Sequence, residues 1–145
     1  FKGLVRSIPA NKIRFNYRSI ELPKDLIFLS ATFKGKQKNS EEINNYMTEL
    51  NTIKNMAQPT KIKTSGSTFK NPISQTDKKV WELIKSSVSN EISYGDAVIS
   101  KKHANFFVNK KNAKAADMKS LINFVKKKVK DQTGIKLELE IVVVE

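Results

Sequence analysis

Three stretches of the chain carry apolar residues at helical spacing, and short apolar or alternating runs separate them. Ile43, Met47, Leu50 and Ile53 recur at intervals of four, three and three, which places them on one helix face. Asn39 or Ser40 can cap that helix, Glu41 and Glu42 suit its first turn, and Gln58-Pro59 ends it. A second helix is expected to start at Thr76 or Asp77, with Val80, Trp81, Ile84 and Val88 facing inward. The third is the longest. It begins at Asp117, buries Met118, Leu121, Ile122, Val125 and Val129, turns Lys126, Lys127, Lys128 and Lys130 outward, and stops at Gly134.

The remaining runs read as strands. Residues 4–5, 13–17 and 26–29 are short apolar or alternating segments, divided by turns around Pro9 and Pro23. Residues 95–100 and 105–109 flank a polar turn. At the end of the chain Ile135, Leu137, Leu139 and Ile141 alternate with Lys136, Glu138 and Glu140, which predicts a half-buried strand. Residues 59–65 have no strong period and read as a connector. The order is strands, helix, helix, strands, helix, strand: an α+β arrangement.

Composition bounds the class. A chain of 145 residues that is 39% hydrophobic is long enough for a true core, and a fold of this size hides roughly two-thirds of its surface. There is no cysteine, so disulfides, thiolate metal sites and cysteine nucleophiles are excluded, and a cytoplasmic, reducing location is expected. A purely apolar run such as 141–144 is far short of the about 20 residues that span a bilayer, and no cleavable signal pattern is present. The chain opens on Phe1, which suits a piece of something longer.

The formal net charge of +13 raises a nucleic-acid partner. Only Arg6, Arg14 and Arg18 among the 27 basic residues are arginines, however. Base-edge and phosphate-fork recognition favours arginine. The lysines read as solvated faces with a general pull on anionic ligands, and nucleic acid is not the expected partner.

Chemistry concentrates in Gly66-Ser67-Thr68-Phe69-Lys70-Asn71-Pro72. Gly66 allows a backbone conformation closed to other residues, Ser67 follows it directly, Asn71 offers two donors and an acceptor, and Pro72 sets the exit. Taken alone, the stretch reads as a turn sooner than as a site. It is not a phosphate-binding P-loop, which needs a second glycine before the lysine. His103 is the single histidine and cannot hold a metal by itself.

Five segments in order give a resemblance. The Gly66–Pro72 stretch resembles the signature of the UDP-N-acetylenolpyruvoylglucosamine reductases. Phe15-Asn16-Tyr17-Arg18 resembles the family's Phe-x-Tyr-Arg, and Gln58-Pro59 lies at the family's distance before the glycine-serine motif. Residues 100–109 resemble its Ser-x-Lys-His-Ala-Asn-Phe segment, and 134–140 its closing Gly-x-x-Leu-Glu-x-Glu. The resemblance runs from about residue 12 to 141 and is to the shorter of the family's two types.

The resemblance implies an enzyme in which NADPH reduces FAD and the flavin passes hydride to an enolpyruvyl ether, making UDP-N-acetylmuramate for peptidoglycan. It implies Ser67 as proton donor, Arg18 as the group that polarises the substrate carboxylate, and Glu140 as the closing catalytic glutamate. It suggests Tyr17, Asn71, His103 and Asn105 as contacts to the nucleotide-sugar. The chain would then hold the end of a flavin-binding domain (1–57), a connector (58–65) and a small α+β substrate-binding domain (66–145). The family's glycine-rich flavin phosphate segment is not in it. Neither tight FAD binding nor turnover is expected of this chain alone, and Ser67 is expected to meet Arg18 and Glu140 across a domain boundary. A non-catalytic nucleotide-sugar-binding module and a basic nucleic-acid-binding protein are the alternative readings.

Overall fold

A computed structural model describes residues 3–144. The chain divides into two compact units, Phe1–Lys38 and Asn39–Glu145.

Among the described residues of the first unit only a minimal hairpin forms, β1 (Phe15–Asn16) with β2 (Ser19–Ile20), after one 3-10 turn at Ala10–Lys12. Tyr17 and Arg18 make its two-residue loop, and Arg18 adopts a left-handed φ of 58°. The strands expected at 4–5 and 26–29 do not form. A strand exists through its ladder, and among the described residues these apolar runs have no ladder partner. They stay exposed.

The second unit opens with α1, Ser40–Ala57. Asn39 is its cap: its side chain accepts from the Glu41 N–H at 2.8 Å. The expected stripe of Ile43, Met47, Leu50 and Ile53 lies on one side, but all four remain exposed.

Four antiparallel strands follow: β3 (Thr64–Ser67), β4 (Ser93–Tyr94), β5 (Ala97–Ile99) and β6 (Phe106–Asn109), in the order β3-β6-β5-β4. The connector expected at 59–65 thus already contains the start of β3. Helices α2 (Val80–Ser87) and α3 (Ala115–Thr133) pack against each other, and α3 lies on β4 and β5. Leu83, Ile84, Ile99, Phe107, Leu121, Val125 and Val129 form the core with Phe69, whose ring meets Phe107 edge-on at 5.8 Å.

The third helix starts two residues before the expected Asp117, because Asp117 serves as a first-turn acceptor for the Lys114 N–H at 2.8 Å. Gly134 ends it in the left-handed region at φ 74°. The second helix starts later than expected, at Val80. It buries Val80, Leu83, Ile84 and Ser87, and Trp81 stays 40% exposed. Trp81 and Leu83 sit about 200° apart on a helix, so one core cannot take both. The stripe containing Leu83 wins.

The closing strand is also corrected. Residues 135–141 carry one bridge, Phe69↔Leu139, rather than a strand. Two hydrogen bonds flank it, Lys70 N–H to Glu138 O and Glu140 N–H to Thr68 O, each 2.9 Å. On one side the partner runs into Pro72, which has no N–H, and on the other the Thr68 N–H is already given to Asn105 O. The alternation still marks the buried side correctly: Leu137 is buried, and Ile135, Leu139 and Ile141 pack against the core.

Candidate functional site

The site is built on a break in β3. Pairing of β3 with β6 shifts between Thr64 and Ser67, and Gly66 lies in that break at φ 88°. A Cβ on Gly66 would meet nothing within 4 Å, so the glycine is required by backbone angle and not by crowding. A bulge of this kind re-aims the side chain that follows it. The side chain that follows is Ser67.

Beyond Ser67 the chain is held from two sides. The Thr68 N–H donates to Asn105 O at 2.8 Å. The Asn105 side chain accepts from the Phe69 N–H at 3.0 Å and donates to Phe69 O at 2.9 Å. Asn105 is 3% exposed. This side chain clamps the loop: both ends of its amide serve the main chain of Phe69. From the opposite side Gln75 holds Lys136 in the same two-bond manner, at 3.0 and 2.9 Å. The closing segment is thereby fixed beside the loop. Asn71 accepts from the Val80 N–H at 3.0 Å, which ties the loop's exit to the start of α2.

Ser67, Asn71, His103 and Asn105 line one pocket of about 280 Å³, together with Lys79, Val80 and Trp81. A neighbouring pocket of about 350 Å³ shares Trp81 and His103 and adds Lys85, Lys101, Lys102 and others. No residue lining either pocket is acidic. Burial holds the His103 imidazole below its ordinary pKa of 6.5, partly offset by a backbone hydrogen bond. The Asn105 N–H donates to His103 Nδ1 at 3.2 Å, so the neutral ring carries its proton on Nε2.

Glu140 lies one rung from Ser67, since its N–H donates to Thr68 O. It therefore reaches the loop within a single unit, where a meeting across a domain boundary was expected. Tyr17 and Arg18 belong to the first unit, where the Arg18 guanidinium sits 5.0 Å over the Tyr17 ring. Lys79, Val80 and Trp81 line the Ser67 pocket and were missed by sequence reasoning. The sequence carried no signal that would turn Trp81 outward, because its stripe and that of Leu83 overlap on α2 and burial of Val80, Leu83, Ile84 and Ser87 shows only in the fold. Among the described residues no group of three or more His, Cys, Asp and Glu is placed to hold a metal ion, and no helix is long and apolar enough to cross a membrane.

A family model described as UDP-N-acetylenolpyruvoylglucosamine reductase, C-terminal domain, matches residues 58–144. The chain belongs to this reductase family. Its match begins at Gln58, the residue that caps the end of α1. A UDP-N-acetylenolpyruvoylglucosamine reductase of Pelagibacter ubique is 65% identical over 139 residues, covering 96% of this chain and 46% of that protein. One from Rickettsia bellii is 44% identical over 141 residues, covering 97% and 46%. The crystal structure of a UDP-N-acetylenolpyruvylglucosamine reductase from Thermus caldophilus matches with a TM-score of 0.77 at 31% identity, over 97% of this chain and 48% of that one. The chain thus spans about half the length of the reductases it matches.

Proposed function

We propose that this chain is the substrate-handling half of an enzyme that reduces UDP-N-acetylglucosamine enolpyruvate to UDP-N-acetylmuramate, a peptidoglycan precursor, in the cytoplasm. Residues 66–145 form the substrate-binding domain, 58–65 the connector, and 1–57 the end of the flavin-binding domain. The observation that carries this reading is Ser67, set immediately after a glycine bulge and lining one polar pocket with Asn71, His103 and Asn105.

That pocket is of about 280 Å³ and lined mostly by polar side chains, with Val80 and Trp81 among them, which suits the enolpyruvyl end of a substrate. The bulk of an FAD cofactor has to be held by residues outside this chain. When bound, FAD reduced by NADPH supplies the hydride. Ser67 donates its hydroxyl proton to the carbon next to the one that receives hydride. A serine hydroxyl is a weak acid, so it protonates only a strongly basic carbon and needs its alkoxide stabilised. Lys79, lining the same pocket, supplies positive charge there. Arg18 binds the substrate carboxylate as negative charge builds on it, and a preorganised guanidinium favours that charged state over the starting one. Glu140, beside the loop, acts in protonated or well-screened form, because a bare carboxylate there would oppose the same charge. Tyr17, Asn71 and His103 contact the nucleotide-sugar, and Asn105 contributes through the loop it clamps.

The test is the pair of half-reactions in the full-length protein. Ser67→Ala should leave flavin reduction by NADPH intact and slow flavin reoxidation by substrate, by about 10²–10⁴-fold for a lost general acid. Equal loss of both half-reactions would remove Ser67 from the proton-donor role.

A further inference from the structure

Trp81 is the pocket residue that neither the packing nor the chemistry above uses. It is the chain's single tryptophan, and it stays 40% exposed while its helix buries Val80, Leu83, Ile84 and Ser87. An indole offers about 150–250 Å² of surface for burial, so leaving it open forgoes much of what the residue contributes to a core. Its neighbours give it a different use. With His103 it forms the wall shared by the two pockets. The Trp81 and His103 ring centres lie 6.4 Å apart at 61°, and His103 lies 4.8 Å from Phe106 at 67°. Phe106 is buried in β6, so the row of rings is anchored in the sheet.

Cations flank this wall. Lys79 lines the pocket that holds Ser67, and Lys85, Lys101 and Lys102 line the other. Lys85 lies one helical turn after Trp81 and so shares its side of α2. Lys102 donates to Asn55 O in the last turns of α1, which fixes its ammonium beside the pocket. A flat ring surface between positive charges, with no lining carboxylate, matches a planar ring that carries phosphates.

We propose that Trp81 is the stacking surface for the planar base of the nucleotide bound at this site. The inference rests on the function proposed above and adds a positioning residue to it. Two nucleotides in that reaction share the required chemistry, the UDP-sugar and NADPH, and the experiment separates them.

In the full-length protein, Trp81→Leu and Trp81→Phe are compared by calorimetric titration with UDP, NADP⁺ and inorganic pyrophosphate. Trp81→Leu should weaken binding of one nucleotide by about 5- to 150-fold, the range for loss of one base–aromatic stack. Trp81→Phe should keep most of the affinity, and pyrophosphate binding should not change in either variant. A loss confined to UDP assigns the stack to uracil, and a loss confined to NADP⁺ assigns it to the nicotinamide nucleotide. Trp81→Leu binding both nucleotides as tightly as wild type overturns the proposal, as does an equal loss for pyrophosphate. If Trp81→Leu does not fold, the wild-type minus Trp81→Phe emission spectrum decides. Quenching by a nucleotide and not by pyrophosphate supports the stack, and no quenching sinks it. Wild-type turnover is measured alongside. An active wild type with indistinguishable variants removes Trp81 alone, whereas an inactive wild type that binds neither nucleotide removes the proposed function as well.

Discussion

Replacing Asn105 should destabilise the fold before it changes any ligand contact. Its amide accepts from the Phe69 N–H at 3.0 Å and donates to Phe69 O at 2.9 Å. Phe69 is 1% exposed and Asn105 is 3% exposed, so water cannot readily replace either bond. Asn105→Ala leaves two buried main-chain groups unpaired, at about 1–3 kcal/mol each. The expected loss is therefore about 2–6 kcal/mol, a large part of the ~5–15 kcal/mol available to a small domain. Urea denaturation followed by circular dichroism measures it directly. Asn105→Asp sharpens the test. As a carboxylate it can still accept from the Phe69 N–H, but its second oxygen faces Phe69 O. When protonated it restores a donor. Its folded pKa should rise above about 3.9, so the variant is least destabilised near that value and loses stability as pH rises through the folded pKa. An Asn105→Ala loss below about 0.5 kcal/mol, the usual size of a surface substitution, would refute the clamp. So would an Asn105→Asp variant whose deficit is the same at pH 4 and pH 8.

Two further outcomes join those given for Ser67 and Trp81. The lowered His103 pKa means the unfolded chain binds its proton first. That contribution is intact above about 6.5 and is lost as pH falls from there through the folded value. His103→Gln should flatten the dependence of stability between pH 7 and pH 5, and an unchanged slope would contradict the burial argument. Gly66→Ala should cost about 1–2 kcal/mol for a left-handed residue with a Cβ. It should also lower kcat in the full-length protein by moving Ser67, so a variant that keeps both wild-type stability and kcat would show that the bulge does not aim the serine.

Much of the architecture was legible in local pattern. Helix faces follow from spacing, so the stripe from Leu121 to Val129 is buried as its period implies. Asn39 and Gly134 could be read as caps because the cap chemistry lies within a few residues of them. The Gly66–Pro72 stretch could be singled out because only glycine accepts its backbone angle at little cost.

What pattern could not supply were relations between distant segments. Asn105 and Phe69 are 36 residues apart, and only the folded chain shows that one amide serves both main-chain groups of the other. The closing segment alternates like a strand, yet its ladder stops after one bridge, with Pro72 on one side and the Thr68 N–H committed to Asn105 on the other. Glu140 joined the Ser67 loop through the same pairing. Trp81 shows the limit most plainly. Two overlapping stripes on α2 were equally helical, and the choice between them depended on which side α3 covered. By itself the sequence determined periodicity, caps and the glycine-dependent turn at Gly66, since those are set by neighbours in the chain. Tertiary structure alone decided which buried amide holds the loop and which aromatic is left facing the pocket, because both depend on surfaces that meet only after folding.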